Sequence, residues 1–158
     1  MFLGIKIAGI CCERAKGREL KIMAKVKILV VEDERTMAAD VINRLRTLGY
    51  TSSDTAFSGE EALKKASENP PDLVLMDIQL KGEMDSLRTA REIQDCFDIP
   101  VVYLADYIDN STLLQAKVTE PYEYILKPFI ESELHMNIEA ALYKHKMAVL
   151  RRFVANES

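Results

Sequence analysis

From Val26 onward, short runs of β-branched and aliphatic residues alternate with longer amphipathic stretches of helical period, and that alternation leaves few folds open. The strand-like runs are residues 27–31, 52–56, 73–76, 101–104 and 124–126, and the helical stretches are 36–48, 59–68, 87–96 and 111–118, with a fifth from Glu131 onward. Strands joined through helices pair in parallel, and right-handed crossovers lay the helices over both faces of the sheet. The expected fold class is therefore α/β, a doubly wound five-stranded parallel sheet. One helix start is marked in the sequence itself. Ser58-Gly59-Glu60-Glu61 has the form of a capping box, in which the Ser58 hydroxyl and the Glu61 carboxylate each serve the other's backbone N–H.

At 158 residues the chain has room for one domain of ordinary size, and 48% hydrophobic with 29% charged residues is the balance of a globular core with a solvated surface. No apolar run reaches the roughly 18 residues needed to cross a bilayer, so no membrane insertion is expected. Residues 1–22 stand apart, with an apolar stretch broken by Lys6 and then a basic segment, and no A-x-A cleavage site follows. They are expected to be a loose N-terminal extension or an upstream start, Met23 opening the domain. The net charge of -4 conceals a split, because five basic side chains against two acidic ones lie in 1–22 and leave the remainder more acidic than the total. An acidic body argues against nucleic acid as the main ligand, since duplex binding leans on Lys and Arg neutralising phosphates. Cys11, Cys12 and Cys96 make neither a C-x-x-C pair nor an even set, so a reducing, cytoplasmic setting is expected rather than a disulfide framework or zinc site.

In doubly wound sheets the chemistry gathers at the carboxyl ends of the strands. There the first predicted strand runs into Glu32-Asp33-Glu34, the third into Asp77 and the fifth into Lys127-Pro128-Phe129. Each has an ordinary explanation: an acidic turn favours the start of the next helix, Asp is a common turn former, and Lys-Pro-Phe is an unremarkable strand exit. Their conjunction at one rim favours a site. Neighbouring strands lie about 4.8 Å apart, so if strands one and three adjoin, Asp33 and Asp77 can share one ion. Mg²⁺ suits oxygen ligands of this kind, and Lys127 supplies a point charge for a phosphate or carboxylate.

The set Glu32-Asp33, Asp77 and Lys127-Pro128-Phe129, in this order and each at a strand end, resembles the receiver domain of two-component response regulators over roughly Val26 to Lys146. The resemblance implies a flavodoxin-like sheet of order 2-1-3-4-5, the order that puts strands one and three side by side. It implies that Asp77 is the phosphoacceptor, that Glu32, Asp33, Asp77 and the Gln79 backbone carbonyl hold Mg²⁺, and that Lys127 contacts the phosphate. It further implies a cis peptide before Pro128 and a switch role for Tyr124. Domain limits of 23–148 for the receiver and 149–158 for a helical C-terminal extension follow. On this reading the protein is a stand-alone phosphoacceptor switch, not an enzyme in the ordinary sense, able to catalyse its own phosphorylation and dephosphorylation. Its partners would be a sensor histidine kinase or phosphotransfer protein and a downstream protein, met through helix four, strand five and helix five, roughly 111–152.

One position departs from the family. Receivers carry Ser or Thr after strand four, where this chain has Ala105 followed by Asp106. The missing hydroxyl puts coupling to Tyr124 in doubt, and keeps open a phosphorylation-independent interaction module as the alternative. Asp106 is expected to point outward. A hydrolase of the haloacid-dehalogenase type would need a second Asp two residues after Asp77, where Gln79 stands. Ser86 replaces a usual Gly and carries no expected function, and His135 and His145 are expected on the surface. On the last helix, Leu134, Ile138, Ala141 and Leu142 are expected to face the sheet. Met136, Ala140, Tyr143, Met147, Leu150 and Val154 recur at alternating spacings of four and three, a possible homodimer seam unless part of it packs within the domain.

Overall fold

Nine elements account for most of the computed structural model, which describes residues 26–80, 82, 84–105 and 123–157. In chain order they are β1 (Lys27–Val31), α1 (Arg35–Thr47), β2 (Thr51–Ala56), α2 (Gly59–Glu68), β3 (Leu73–Asp77), α3 (Ser86–Phe97), β4 (Val101–Ala105), β5 (Glu123–Leu126) and α4 (Glu131–Glu157). All strand pairs are parallel and the sheet order is β2-β1-β3-β4-β5. The fold is the doubly wound α/β sheet expected from the alternation, with strand and helix limits within a residue of those predicted. The predicted helix at 111–118, Asp106 and the N-terminal 1–22 lie outside the described residues.

Alternating side chains of each strand feed two separate cores, because successive Cβ atoms point to opposite faces. On one face Leu29, Val31, Val74, Met76, Val101 and Tyr103 pack with Ala62 and Ala66 of α2 and Ala90 and Ile93 of α3. On the other, Ile28, Val30, Leu75 and Leu104 meet Val41 and Leu45 of α1 and Leu134, Ile138 and Ala141 of α4. Central strands covered on both sides need near-continuous apolar residues, which is why β4 and β3 as far as Met76 are apolar and buried.

The helix starts depend on local chemistry. Ser58 caps α2, its Oγ accepting from the Glu61 amide at 3.1 Å. The reciprocal half of the expected capping box is not as predicted: Glu61 Oε2 accepts from the Phe57 amide at 3.2 Å, one residue upstream of Ser58. Its other oxygen lies 2.9 Å from Lys65 Nζ, so this carboxylate is shared between the cap and an i,i+4 ion pair. Asp85 caps α3 by accepting from Arg88 N at 2.8 Å. α3 ends at Asp98 in the left-handed conformation, φ 54°, where Asp is among the few residues tolerated.

Candidate functional site

The register of the sheet places the ends of β1 and β3 side by side, Val31 opposite Met76, so the residues that follow share one rim. Glu32 leaves β1 with its amide bonded to the Ala56 carbonyl at 3.0 Å, which turns its side chain inward at 2% exposure. Asp33 is half-buried beside it, and Asp77, the last residue of β3, is 6% exposed. Glu32, Asp33 and Asp77 each present a carboxylate oxygen, all within 4.8 Å of one another.

Lys127 closes the group from the far side of β4. Its backbone N–H donates to the Ala105 carbonyl at 2.7 Å, continuing the β4–β5 ladder, and its Nζ stands 3.4 Å from Glu32 Oε2 and 3.6 Å from Asp77 Oδ2. The Lys127–Pro128 peptide bond is cis. Beyond it, Phe129 is held from α1, where the Arg44 guanidinium donates to its carbonyl at 3.2 Å and lies over its ring.

Three carboxylates against one ammonium leave an excess of buried negative charge, and Glu32 registers it. Its carboxyl is pushed up to about 7, first by burial and then by its hydrogen bond with Asp77 and the charge there. The Glu34 amide, 3.2 Å from Glu32 Oε1, and the charge of Lys127 pull the other way without prevailing. A divalent cation would relieve this imbalance. The donors are all hard oxygens, and a Mg²⁺ octahedron is about 4 Å across, so oxygens up to 4.8 Å apart can be met directly or through retained waters.

Asp77 Oδ1 accepts from the Gln79 amide at 2.9 Å, while Oδ2 faces Lys127. Ala105 ends β4 at 8% exposure, and no hydroxyl stands there. Tyr124 is half-buried on β5 against Tyr103, ring centroids 6.2 Å apart, and its hydroxyl is enclosed without a hydrogen-bond partner among the described residues. Burial raises its pKa.

The structure thus brings together Glu32, Asp33, Asp77 and Lys127, with Gln79 bonded to Asp77 through its backbone, and sets Ala105 and Tyr124 on the adjoining strands. Sequence reasoning missed three contacts. Ser86, given no role, is 1% exposed and donates to the Ile78 carbonyl; its replacement of a usual Gly was the one visible signal. His135 is on the surface as expected, but its Nδ1 lies 3.0 Å from the Tyr50 hydroxyl, which donates to Glu139 at 2.6 Å. His145 is largely covered, with Nε2 3.3 Å from Asp98.

Residues 28–139 match the response regulator receiver domain family. The chain is 32% identical over 133 residues to the phyllosphere-induced regulator PhyR of Methylorubrum extorquens, covering 84% of this chain and 49% of that protein. It is 31% identical over 120 residues to the transcriptional regulatory protein PdtaR of Mycobacterium tuberculosis, covering 76% of this chain and 58% of the relative. It therefore spans about half the length of the curated relatives it matches. Among solved structures, the signal receiver domain of a modulated diguanylate cyclase from Desulfovibrio desulfuricans superposes with a TM-score of 0.74 at 34% identity, over 78% of this chain and 98% of that one. Sheet order, strand-end carboxylates and these matches agree, and the chain belongs to the response regulator receiver family of two-component signalling.

Proposed function

We propose that this chain accepts a phosphoryl group on Asp77 from a sensor histidine kinase or phosphotransfer protein. The observation that carries the reading is Lys127 Nζ set between the buried carboxylates of Glu32 and Asp77, with the half-buried Asp33 beside them. A carboxylate oxygen of Asp77 attacks phosphorus in line; the P–O bond forms as the bond to the donor histidine nitrogen breaks, and that nitrogen leaves with its electron pair. Lys127 is placed to neutralise charge on the transferring group. Glu32, Asp33, Asp77 and the Gln79 backbone carbonyl would hold Mg²⁺, which when bound supplies positive charge to phosphoryl oxygens. Transfer of this kind needs positioning and charge stabilisation more than covalent participation, so four side chains suffice. The same groups, turned on a water, would support self-dephosphorylation.

The wider reading is of a cytoplasmic receiver at 23–148 with a helical extension at 149–158. It signals to a downstream protein through the surface of 111–152 and forms a homodimer through α4. The test of the central claim is incubation of wild type and Asp77→Asn with Mg²⁺ and acetyl phosphate. Wild type should gain an acid-stable, base-labile phosphoryl adduct that the variant lacks; a wild type without the adduct sinks the proposal.

A second reading draws on Ala105. With no hydroxyl at the end of β4 and the Tyr124 hydroxyl enclosed beside Tyr103, output can be independent of phosphorylation. Restoring the hydroxyl as Ala105→Thr should increase phosphorylation-dependent partner binding by roughly tenfold, the worth of one charge-assisted hydrogen bond. Equal responses in the two proteins would remove Ala105 as a reason for the second reading.

A further inference from the structure

Ser86 is the first residue of α3, yet its hydroxyl does not serve the helix. The cap is made by Asp85, whose side chain accepts from Arg88 N, and Thr89 Oγ1 returns to the Asp85 carbonyl at 2.7 Å. Ser86 Oγ instead donates across the β3–α3 loop to the carbonyl of Ile78, a residue eight positions earlier and adjacent to Asp77. The contact is buried, with Ser86 at 1% and Ile78 at 8% exposure.

The Ile78 carbonyl and the Gln79 N–H belong to one peptide unit, and in a trans peptide they point in opposite directions. That unit is held from both sides: Ser86 donates to its oxygen, and its N–H donates to Asp77 Oδ1 at 2.9 Å. One residue back, the Ile78 N–H is fixed to the Leu104 carbonyl at 2.9 Å, so the plane has little freedom to rotate. Hydrogen bonds in series polarise one another, and a donor on the carbonyl makes the N–H of the same unit a stronger donor.

We infer that Ser86 is a positioning residue for Asp77: its hydroxyl clamps the Ile78–Gln79 peptide so that the Gln79 N–H engages Oδ1 and Oδ2 is left facing Lys127. The clamp also restrains the backbone that leads to the Gln79 carbonyl. Without the hydroxyl the peptide can rock, and the Asp77 carboxylate can turn about its terminal bond, whose preferences are broad. The consequence for phosphoryl transfer rests on Asp77 being the acceptor; the effect on the Gln79 amide does not.

The test uses the full chain and two variants, Ser86→Ala and Ser86→Gly. The ¹H–¹⁵N resonance of Gln79 is followed in chelator and in Mg²⁺, together with the rate of labelling by acetyl phosphate. Loss of the hydroxyl should move the Gln79 amide proton upfield in both variants and slow labelling roughly 3- to 10-fold, the rate equivalent of one hydrogen bond. If Ser86 only fills space, Ala retains the Cβ and behaves as wild type, with the Gln79 resonance unmoved and labelling unchanged; either result overturns the inference. A wild type that takes no label overturns the acceptor reading instead, and the Gln79 shift in Ser86→Ala then decides the inference by itself.

Discussion

Glu32 is under electrostatic tension, because it is 2% exposed and adjoins Asp77, with Lys127 and the Glu34 amide compensating only in part. Its carboxyl sits at about 7 in the folded chain against 4.5 for a free one, so folding without metal takes up a proton between those values. The stabilising effect of that proton is complete below pH 4.5 and is lost as pH rises through about 7. In chelator, the stability of wild type should therefore fall across this window relative to Glu32→Gln, which stays neutral, by something on the order of 3 kcal/mol. Mg²⁺ favours the ionised carboxylate and should flatten the difference. Thermal melts of both proteins from pH 4 to pH 8.5 read it out; parallel curves in chelator would show that Glu32 titrates normally. The position of this residue was legible in sequence, since an acid directly after a buried strand at a sheet's carboxyl end has few places to go. Its tension was not legible, because that depends on how completely Asp77 and Lys127 close over it.

At the scale of elements, α2 packs closely against α3 and the loop that precedes it. Gly59 opens α2, and a Cβ there would collide with the Thr89 hydroxyl and come within 3.0 Å of the Met84 carbonyl. Thr89 is fully buried and bonded to Asp85, so it has no room to yield, and the Met84 oxygen is backbone. Helix propensity alone favours Gly59→Ala by up to about 1 kcal/mol, but forcing atoms into a packed contact costs about 1–3 kcal/mol. The variant should be destabilised by about 1–2 kcal/mol in urea unfolding at unchanged m-value, and a neutral or stabilised variant would mean that the two elements are free to separate. The central strands β1, β3 and β4 were readable to within a residue, because burial on both faces leaves a short continuous apolar run, too brief for an ordinary helix and bounded by polar turns. The partners of loop and helix-end side chains were not. Glu61 reaches Phe57 rather than Ser58, and Ser86 reaches Ile78, because such bonds are decided by loop path and by competing partners such as Lys65.

For the whole molecule, most of the exposed large hydrophobics of the described residues gather on α4, which carries Met136, Tyr143, Leu150, Phe153 and Val154. Its 27 residues extend about 40 Å, and only its first part is buried, through Leu134, Ile138 and Ala141. Further along, Arg152 forks onto Asp98 with contacts of 2.9 and 3.0 Å, and His145 Nε2 lies 3.3 Å from the same carboxylate. These contacts hold the distal turns against the α3–β4 corner, and the opposite side of the helix is left with Met136, Tyr143, Leu150 and Val154 exposed at 46% or more. The intervening members of the predicted seam, Ala140 and Met147, are half-buried, so the stripe is partly covered within the domain yet remains continuous along one side. Apolar residues repeating at heptad spacing on a latched helix suit a second copy of the same helix, because each a/d position then meets its equivalent across a two-fold axis. Light scattering of wild type, with and without acetyl phosphate and Mg²⁺, should give the mass of a dimer in at least one condition. Tyr143→Glu with Leu150→Glu should return it to a monomer while leaving its circular dichroism unchanged, since both side chains are solvent-facing and a buried charge at a helix seam disfavours pairing by several kcal/mol. A wild type that is monomeric in both conditions would refute the dimer and leave the stripe to a different partner.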